Sequence, residues 1–405
     1  MTGARDRLTA HWGPLALCYG GMMCVAIGSN FVPVYLTTFK ETFGGPGGLT
    51  DEQLGRIAAV IFAGFVAGIL GGGPLADRWG AKPLAVFGAA LTIAGLVLLS
   101  TARVYGGLLG ASAVLGLGAG VLDMVLSPVV SALEPHRRTA ALNWLHAFYC
   151  IGAVMTVLAG SAALRYGVHW RTLALALTVV PALVALGFAP LRLPPLVHEE
   201  AVRLPVGRLM RTPLFVAGLA VVALAGATEQ GVAQWLPAYA ERALDYSKAQ
   251  GGMALAGFSV AMIVGRVLAA LAARRVHAVS LLRAACILLV ILILAGCFMP
   301  FRTLALAACV LCGLAVSCLW PTTLGLTADR FPHGGASMFA LLAAAGNAGC
   351  FAMPWLVGII AEHSRLVLAL ALVAACPAAI IGLLVNFRDQ TQRQRARCRD
   401  EYSSP

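Results

Sequence analysis

Residues 115–152 read LGLGAGVLDMVLSPVVSALEPHRRTAALNWLHAFYCIG. Two apolar, glycine-dotted runs flank a short basic loop that carries Arg137 and Arg138. One carboxylate, Asp123, stands near the middle of the first run, and Asn143 and His146 open the second. Each run has the roughly 20 residues a helix needs to cross a hydrocarbon core of about 30 Å. A carboxylate at that depth costs at least a few kcal/mol unless it faces a cavity or a partner. Asp123 is therefore a functional candidate. The alternative is a protonated Asp hydrogen-bonded to a neighbouring helix.

The same texture fills the chain. Hydrophobic residues make up 60% and charged residues 11% of the 405 positions, against about 45–50% and 25% in soluble domains. Strands of a membrane barrel would be about ten residues of alternating polarity, a pattern missing here. The expected fold is all-α and integral to the membrane, with about twelve spans in two six-helix halves. Their limits fall near 13–37, 54–75, 83–102, 106–131, 141–164, 171–190, 212–238, 252–272, 279–299, 303–328, 335–360 and 366–386. The domain reading is an N-terminal bundle 1–193, a cytoplasmic linker 194–211, a C-terminal bundle 212–388 and a basic cytoplasmic tail 389–405.

The formal net charge is +12, yet its placement argues against nucleic acid. Basic residues sit in short loops and in the tail Arg393, Arg395, Arg397 and Arg399, the pattern of cytoplasmic loops beside anionic lipid. With the N-terminus inside, the cytoplasmic set holds Arg78, Lys82, Arg137, Arg138, Arg203, Arg208, Arg274 and Arg275, and the outer set is poorer. Both termini are expected in the cytoplasm, with the chain in a plasma membrane of bacterial inner-membrane type. The basic start, Arg5 and Arg7 before an apolar run, mimics a signal peptide; the run continues past Asn30, so it reads as a retained first span. Eleven cysteines lie mostly inside apolar runs and read as small packing residues. Cys398, in the basic tail, is a weak palmitoylation candidate.

The halves repeat each other. Ser29-Asn30-Phe31-Val32-Pro33-Val34-Tyr35 in span 1 matches Ala233-Gln234-Trp235-Leu236-Pro237-Ala238-Tyr239 in span 7. Gly116 matches Gly313, and at the same offset Gly152 matches Gly349, which sets Asp123 opposite Trp320. Repeated halves with short loops mark a transporter whose site lies at the midplane between them.

After span 2 the chain reads Gly73-Pro74-Leu75-Ala76-Asp77-Arg78-Trp79-Gly80-Ala81-Lys82. Here it resembles the major facilitator superfamily, whose loop between spans 2 and 3 has the form G-x-L-a-D-R-x-G-x-K. The resemblance implies a gating role for Gly73, Asp77, Arg78, Gly80 and Lys82, with the Asp latching the cytoplasmic face. The counterpart after span 8 keeps Gly265, Arg266, Arg274 and Arg275 but no Asp. Within the superfamily, Gly116, Gly118, Gly120 and Asp123, then Leu142, Asn143, His146, Ala147, Phe148, Gly152 and Ala153, resemble the fucose–proton symporter family and relatives. Glu229, Ser317, Pro321 and Thr322 extend the likeness. It implies that Asp123 couples to protons. The chain departs from the sugar symporter by having Ser29 and Asn30 where that protein has a second acid. It departs from drug–proton antiporters by lacking their span 5 Gly-Pro motif.

Of the acids, Asp123 and Glu229 fall well inside spans and are the proton-coupling candidates. Glu229 lies in Gly226-Ala227-Thr228-Glu229-Gln230-Gly231, where glycines beside polar residues suggest a weakened helix lining a cavity. Its alternative is a protonated Glu tying span 7 to a neighbour. Arg266 is either its charge partner or snorkels to the cytoplasmic surface. His146 shares a helix face with Asn143. The substrate-binding candidates are Asn30, Asn143, His146, Gln234, Trp320 and Asn347. No phosphate loop, catalytic triad or metal-ligand spacing appears, so no enzyme activity, metal or cofactor is expected. The expected partners are a small-molecule substrate, protons and membrane lipid, with the protein as a monomer. The reading is a proton-coupled symporter for a small polar organic solute, sugar-like or an organic acid. The alternatives are an efflux pump for drugs or other amphiphiles, and a non-transporting sensor or assembly factor on the same fold.

Overall fold

The computed structural model describes the chain except residues 1, 135–137, 192, 194–205, 274, 332–334, 386 and 388–405; for residues 2–11, 77, 138–140, 143, 206 and 335–337 it describes the backbone alone. The linker 194–211 and the tail 389–405 thus lie largely or wholly outside the described residues, as does Cys398.

Among the described residues, 12 helices are long and apolar enough to cross a membrane. Spans 1 to 6 are Trp12–Val34, Asp51–Ala76, Ala81–Thr101, Tyr105–Leu133, Trp144–Arg165 and Trp170–Phe188. Spans 7 to 12 are Pro213–Arg242, Lys248–Ala272, Ala278–Phe298, Arg302–Arg330, Met338–His363 and Leu366–Leu383. The expected limits agree to within a few residues. Large apolar side chains such as Phe87, Leu98, Leu183, Leu186, Leu268, Ile287 and Ile291 are exposed along these spans, as befits a protein whose surroundings are hydrocarbon.

Several spans are broken, and proline explains four of the breaks. In spans 6, 7, 10 and 12 the helical hydrogen-bond pattern is interrupted at Thr178, Gln234-Trp235, Ser317-Cys318 and Val373-Ala374 while the dihedrals stay right-handed helical. Pro181, Pro237, Pro321 and Pro377 follow at the distance where a proline ring collides with the carbonyl four residues back and withholds the N–H that carbonyl would accept. Pro128 and Pro354, by contrast, lie inside unbroken helices.

The repeat is a packing repeat. A Cβ at Gly116 would land on the Ile61 carbonyl of span 2, and one at Gly313 on the Phe258 carbonyl of span 8. Two helix backbones touch at each place, which only glycine permits. The helix starts repeat as well. Thr50 and Gln53 form a capping box at the start of span 2, and Ser247 and Gln250 form its twin at span 8. Each pair satisfies two orphan N–H groups reciprocally.

The two halves meet chiefly through span 2 against span 11 and span 5 against span 8. A continuous core of buried residues, from Phe31 and Tyr35 through Trp235 and Tyr239 to Phe258, runs across that meeting. The described cysteines are free thiols, Cys297 half-buried and the others buried, in keeping with their reading as packing residues.

Candidate functional site

The terminal end of the bundle carries the start of span 1 and the end of span 12; the far end carries the starts of spans 2 and 8.

Where the halves meet at mid-depth, a small cavity is lined by Asn30, Tyr149, Cys150 and Ala153 from the N-terminal half. The C-terminal half supplies Glu229, Gln230, Ala233, Leu255, Phe258, Ser259 and Met262. It encloses about 10 Å³, about the space of one water molecule. Its polar wall is one connected network. Asn30 Nδ2 donates to Ser29 Oγ at 3.1 Å, and Ser29 Oγ lies 3.0 Å from the Tyr149 hydroxyl. Across the interface, Gln230 Nε2 donates to Glu229 Oε1 at 3.2 Å and Gln234 Nε2 to Gln230 Oε1 at 2.9 Å. Gln234 Nε2 also reaches the Ser29 carbonyl at 3.2 Å and so joins the halves. Gln234 Oε1 is buried and has no partner among the described residues.

Arg266 completes the wall from span 8. Side chains on a helix lean toward its N-terminus, which for span 8 is away from the terminal end. The guanidinium accordingly points inward and does not snorkel. Nη1 meets Cys150 Sγ at 3.2 Å and Nη2 meets Met262 Sδ at 3.7 Å. Glu229 feels its charge, yet no ion pair joins the two. His146, one turn from Cys150 toward the terminal end, is exposed by area and also within electrostatic reach of Arg266.

The structure thus brings together Asn30, Glu229 and Gln234 from the sequence candidates, with His146 beside them. Others lie elsewhere. Asp123 is half-buried, is absent from the cavity wall, and its carboxylate makes no hydrogen bond or ion pair with a described residue. At 1.5 Å per residue it stands roughly 15 Å along its helix from the terminal end, against roughly 24 Å for Glu229. Trp320 lays its ring on Gly346 of span 11, beside Phe215, Val222 and Leu342; it is a packing aromatic outside the cavity wall. Asn347 is buried, donates to the Ala343 carbonyl of its own helix and is absent from the cavity wall. The Asn143 and Asp77 side chains lie outside the described residues. Of the remaining gating candidates, Gly80 joins spans 2 and 3 at φ 80°, a left-handed turn that glycine adopts freely. Arg78 is exposed and Lys82 half-buried.

Sequence reasoning missed Tyr149, Cys150 and Gln230. Tyr149 and Cys150 continue the Asn143–His146 face by one more turn, so the i, i+3, i+4 rule could have found them. It also missed a closure at the far end. Asp51, buried at the start of span 2, accepts from Arg242 Nη1 and Nη2 at 2.8 and 2.7 Å and from Lys40 Nζ at 3.0 Å. The Asp51 backbone N–H donates to Glu362 at 2.6 Å. Thr37 donates to Glu241 and Trp355 Nε1 to Glu52, each at 2.5 Å, and Lys248 to Glu41 at 2.6 Å. Every one of these contacts except that to Lys40 crosses from one half to the other. The far end is closed.

Comparison with known proteins agrees with this architecture. The model of the Major Facilitator Superfamily matches residues 18–354 and 242–401. Over 112 residues the chain is 35% identical to the multidrug resistance protein MdtL of Escherichia coli O45:K1 (strain S88 / ExPEC), a stretch covering 27% of this chain and 29% of that protein. Over 141 residues it is 30% identical to MdtL of Klebsiella pneumoniae (strain 342), covering 34% and 36%. The match thus spans about a third of the length of these curated relatives. Among solved structures it is similar to the E. coli fucose:proton symporter FucP, with a TM-score of 0.66, 18% identity and coverage of 93% and 99%. The nucleoside transporter NupG gives 0.76, 10%, 93% and 99%, and a D-xylose-proton symporter 0.73, 14%, 92% and 97%. At such identities the likeness is one of fold.

Proposed function

The chain belongs to the Major Facilitator Superfamily and is an integral multi-pass membrane protein, and from that premise we propose that it moves a small polar organic solute by alternating access, driven by protons. The observation that carries this reading is the polar network shared between the halves, with Glu229 in the cavity wall. A site at the interface of two repeats is exposed to one side and then the other when the repeats rock. The closure at the far end supports the same reading, because alternating access requires one end shut while the other admits solute. With no nucleotide-binding loop in the sequence, the driving force is a gradient. Protons suit carboxylates enclosed at depth, whereas sodium calls for a cluster of oxygen ligands.

In this proposal both termini face the cytoplasm of a bacterial inner membrane, so the far end is the outer face. Glu229 and Asp123 are the proton-coupling residues. Asn30, Gln234, His146 and Asn143 meet the solute, while Gly73, Asp77, Arg78, Gly80 and Lys82 latch the cytoplasmic face. The test is accumulation of labelled sugars, acids and nucleosides in vesicles under an imposed pH gradient. Uptake that ignores the gradient for every transported solute would end the proton claim.

A second reading, drug efflux, is favoured by the MdtL stretches at 30% and 35% identity. Vesicles that extrude amphiphilic drugs and take up none of the polar solutes would establish it.

A further inference from the structure

Arg266 is in an unusual position for an arginine. A guanidinium stays charged at any pH relevant here and offers five N–H donors. Inside a membrane protein such a group is expected to pair or to reach water. Here its two contacts are sulfur atoms, Cys150 Sγ and Met262 Sδ, and sulfur is a weak acceptor. Its Nε is buried with no partner among the described residues. A counterion is near at hand in Glu229, but the two stand apart and Glu229 is held by Gln230. Cys150, Met262 and Glu229 all line the central cavity, so the unspent donors lie behind its wall.

We propose that the solute carries a carboxylate and that Arg266 holds it, displacing the two sulfur contacts with a bidentate pair. This rests on the transport reading above and narrows it to organic acids. The planar fork of the guanidinium matches a carboxylate oxygen for oxygen. A phosphate ester would bring nearly two negative charges beside Glu229. The rest of the solute then faces Tyr149, Asn30 and Ser259, groups suited to hydroxyls. The charge count also follows. The ionisable groups near Glu229 are Tyr149, Cys150, Cys350 and Arg266, with His146 next to Arg266. A second carboxylate beside Glu229 is tolerated when Glu229 takes up a proton, so one monoanion and one proton travel together without net charge.

The experiment uses the full chain in proteoliposomes under a pH gradient, with lactate, glycerate and gluconate set against lactamide, glycerol and glucose, and glycerol 3-phosphate, fucose, uridine and a cationic dye as further probes. The expected result is accumulation of at least one carboxylate and not its neutral partner. Arg266→Gln should then raise the half-saturating concentration about 100-fold or more, with Arg266→Lys between the two. Thermal unfolding in detergent checks that both variants stay folded, and stabilisation of the wild type by the same acid reports binding without transport. Accumulation of a neutral solute that Arg266→Gln leaves unchanged would overturn the carboxylate and leave the transport reading standing. So would dye extrusion, or preference for glycerol 3-phosphate over glycerate. Silence across all probes from a folded wild-type protein would count against both.

Discussion

Asp51 and Arg242 lie 191 residues apart and meet through two parallel hydrogen bonds of 2.8 and 2.7 Å across the seam between the halves. The pair has a twin. Lys248 starts span 8 as Asp51 starts span 2, one residue after the matching N-caps Ser247 and Thr50, and it reaches Glu41 on the short helix that follows span 1. The polarity is reversed: acid on span 2 with base at the end of span 7, base on span 8 with acid after span 1. Asp51 also gains from the partial positive charge of its helix start, whereas Lys248 opposes it.

These two latches should differ in strength. The Asp51 side chain is 6% exposed, and that of Glu41 is 66% exposed. Arg242→Gln removes the bidentate partner of a buried carboxylate and should destabilise the far-end closure by about 2 kcal/mol or more. Glu41→Gln should change it by less than about 1 kcal/mol, an effect that salt masks. Cysteine cross-linking or spin-label distances across the far end read the population of the closed form. The exchanged pair Asp51→Arg with Arg242→Asp should recover part of the loss, and equal closure in Arg242→Gln and wild type would remove the latch role.

Glycine contacts set the helix spacing within each half. Gly313→Val places a branched side chain on the Phe258 carbonyl, and Gly116→Val does the same at Ile61. Neither backbone can give way without moving a whole helix. Each variant should lose about 3 kcal/mol or more of stability, seen as a lower melting temperature and a poorly monodisperse preparation. Gly325→Ala, at a position with open space around it, is the matched control and should melt like the wild type.

The two enclosed acids divide the coupling question. Asp123→Asn mimics the permanently protonated form. Solute exchange should persist in it, because exchange needs no net proton movement, while pH-driven accumulation should fall to background. Accumulation and exchange measured side by side at two pH values decide this. Intact accumulation in Asp123→Asn moves the coupling to Glu229, and Glu229→Gln should then show the exchange-only behaviour.

The link between halves at mid-depth is also open to test. Gln234→Leu removes the amide that spans from Gln230 to the Ser29 carbonyl at little change in volume. Each lost hydrogen bond is worth about 1 kcal/mol. The variant should fold but bind solute about tenfold more weakly, as read by ligand-dependent shifts in melting temperature.

What the sequence by itself determined is what local chemistry enforces. Apolar runs of membrane-crossing length have to be helices because their backbones find no water, so the span limits were legible to within a few residues. The match of Gly116 with Gly313 was legible because close backbone contact tolerates one residue type, and that constraint leaves its mark at a fixed offset. Asn30, Glu229 and Gln234 were legible as polar residues that a membrane interior would otherwise exclude. What only the tertiary structure decided is direction and partnership. Trp320 and Asn347 share repeat positions with cavity candidates, but the neighbours of their side chains are set by packing within one half. Arg266 turns inward because a helical side chain leans toward its N-terminus, and which way that points depends on how span 8 threads the bundle. Asp51 and Arg242 each look like ordinary charges at a helix end. Their pairing exists because the two half-bundles close on each other at one end, and no pattern within either stretch of sequence encodes that distance.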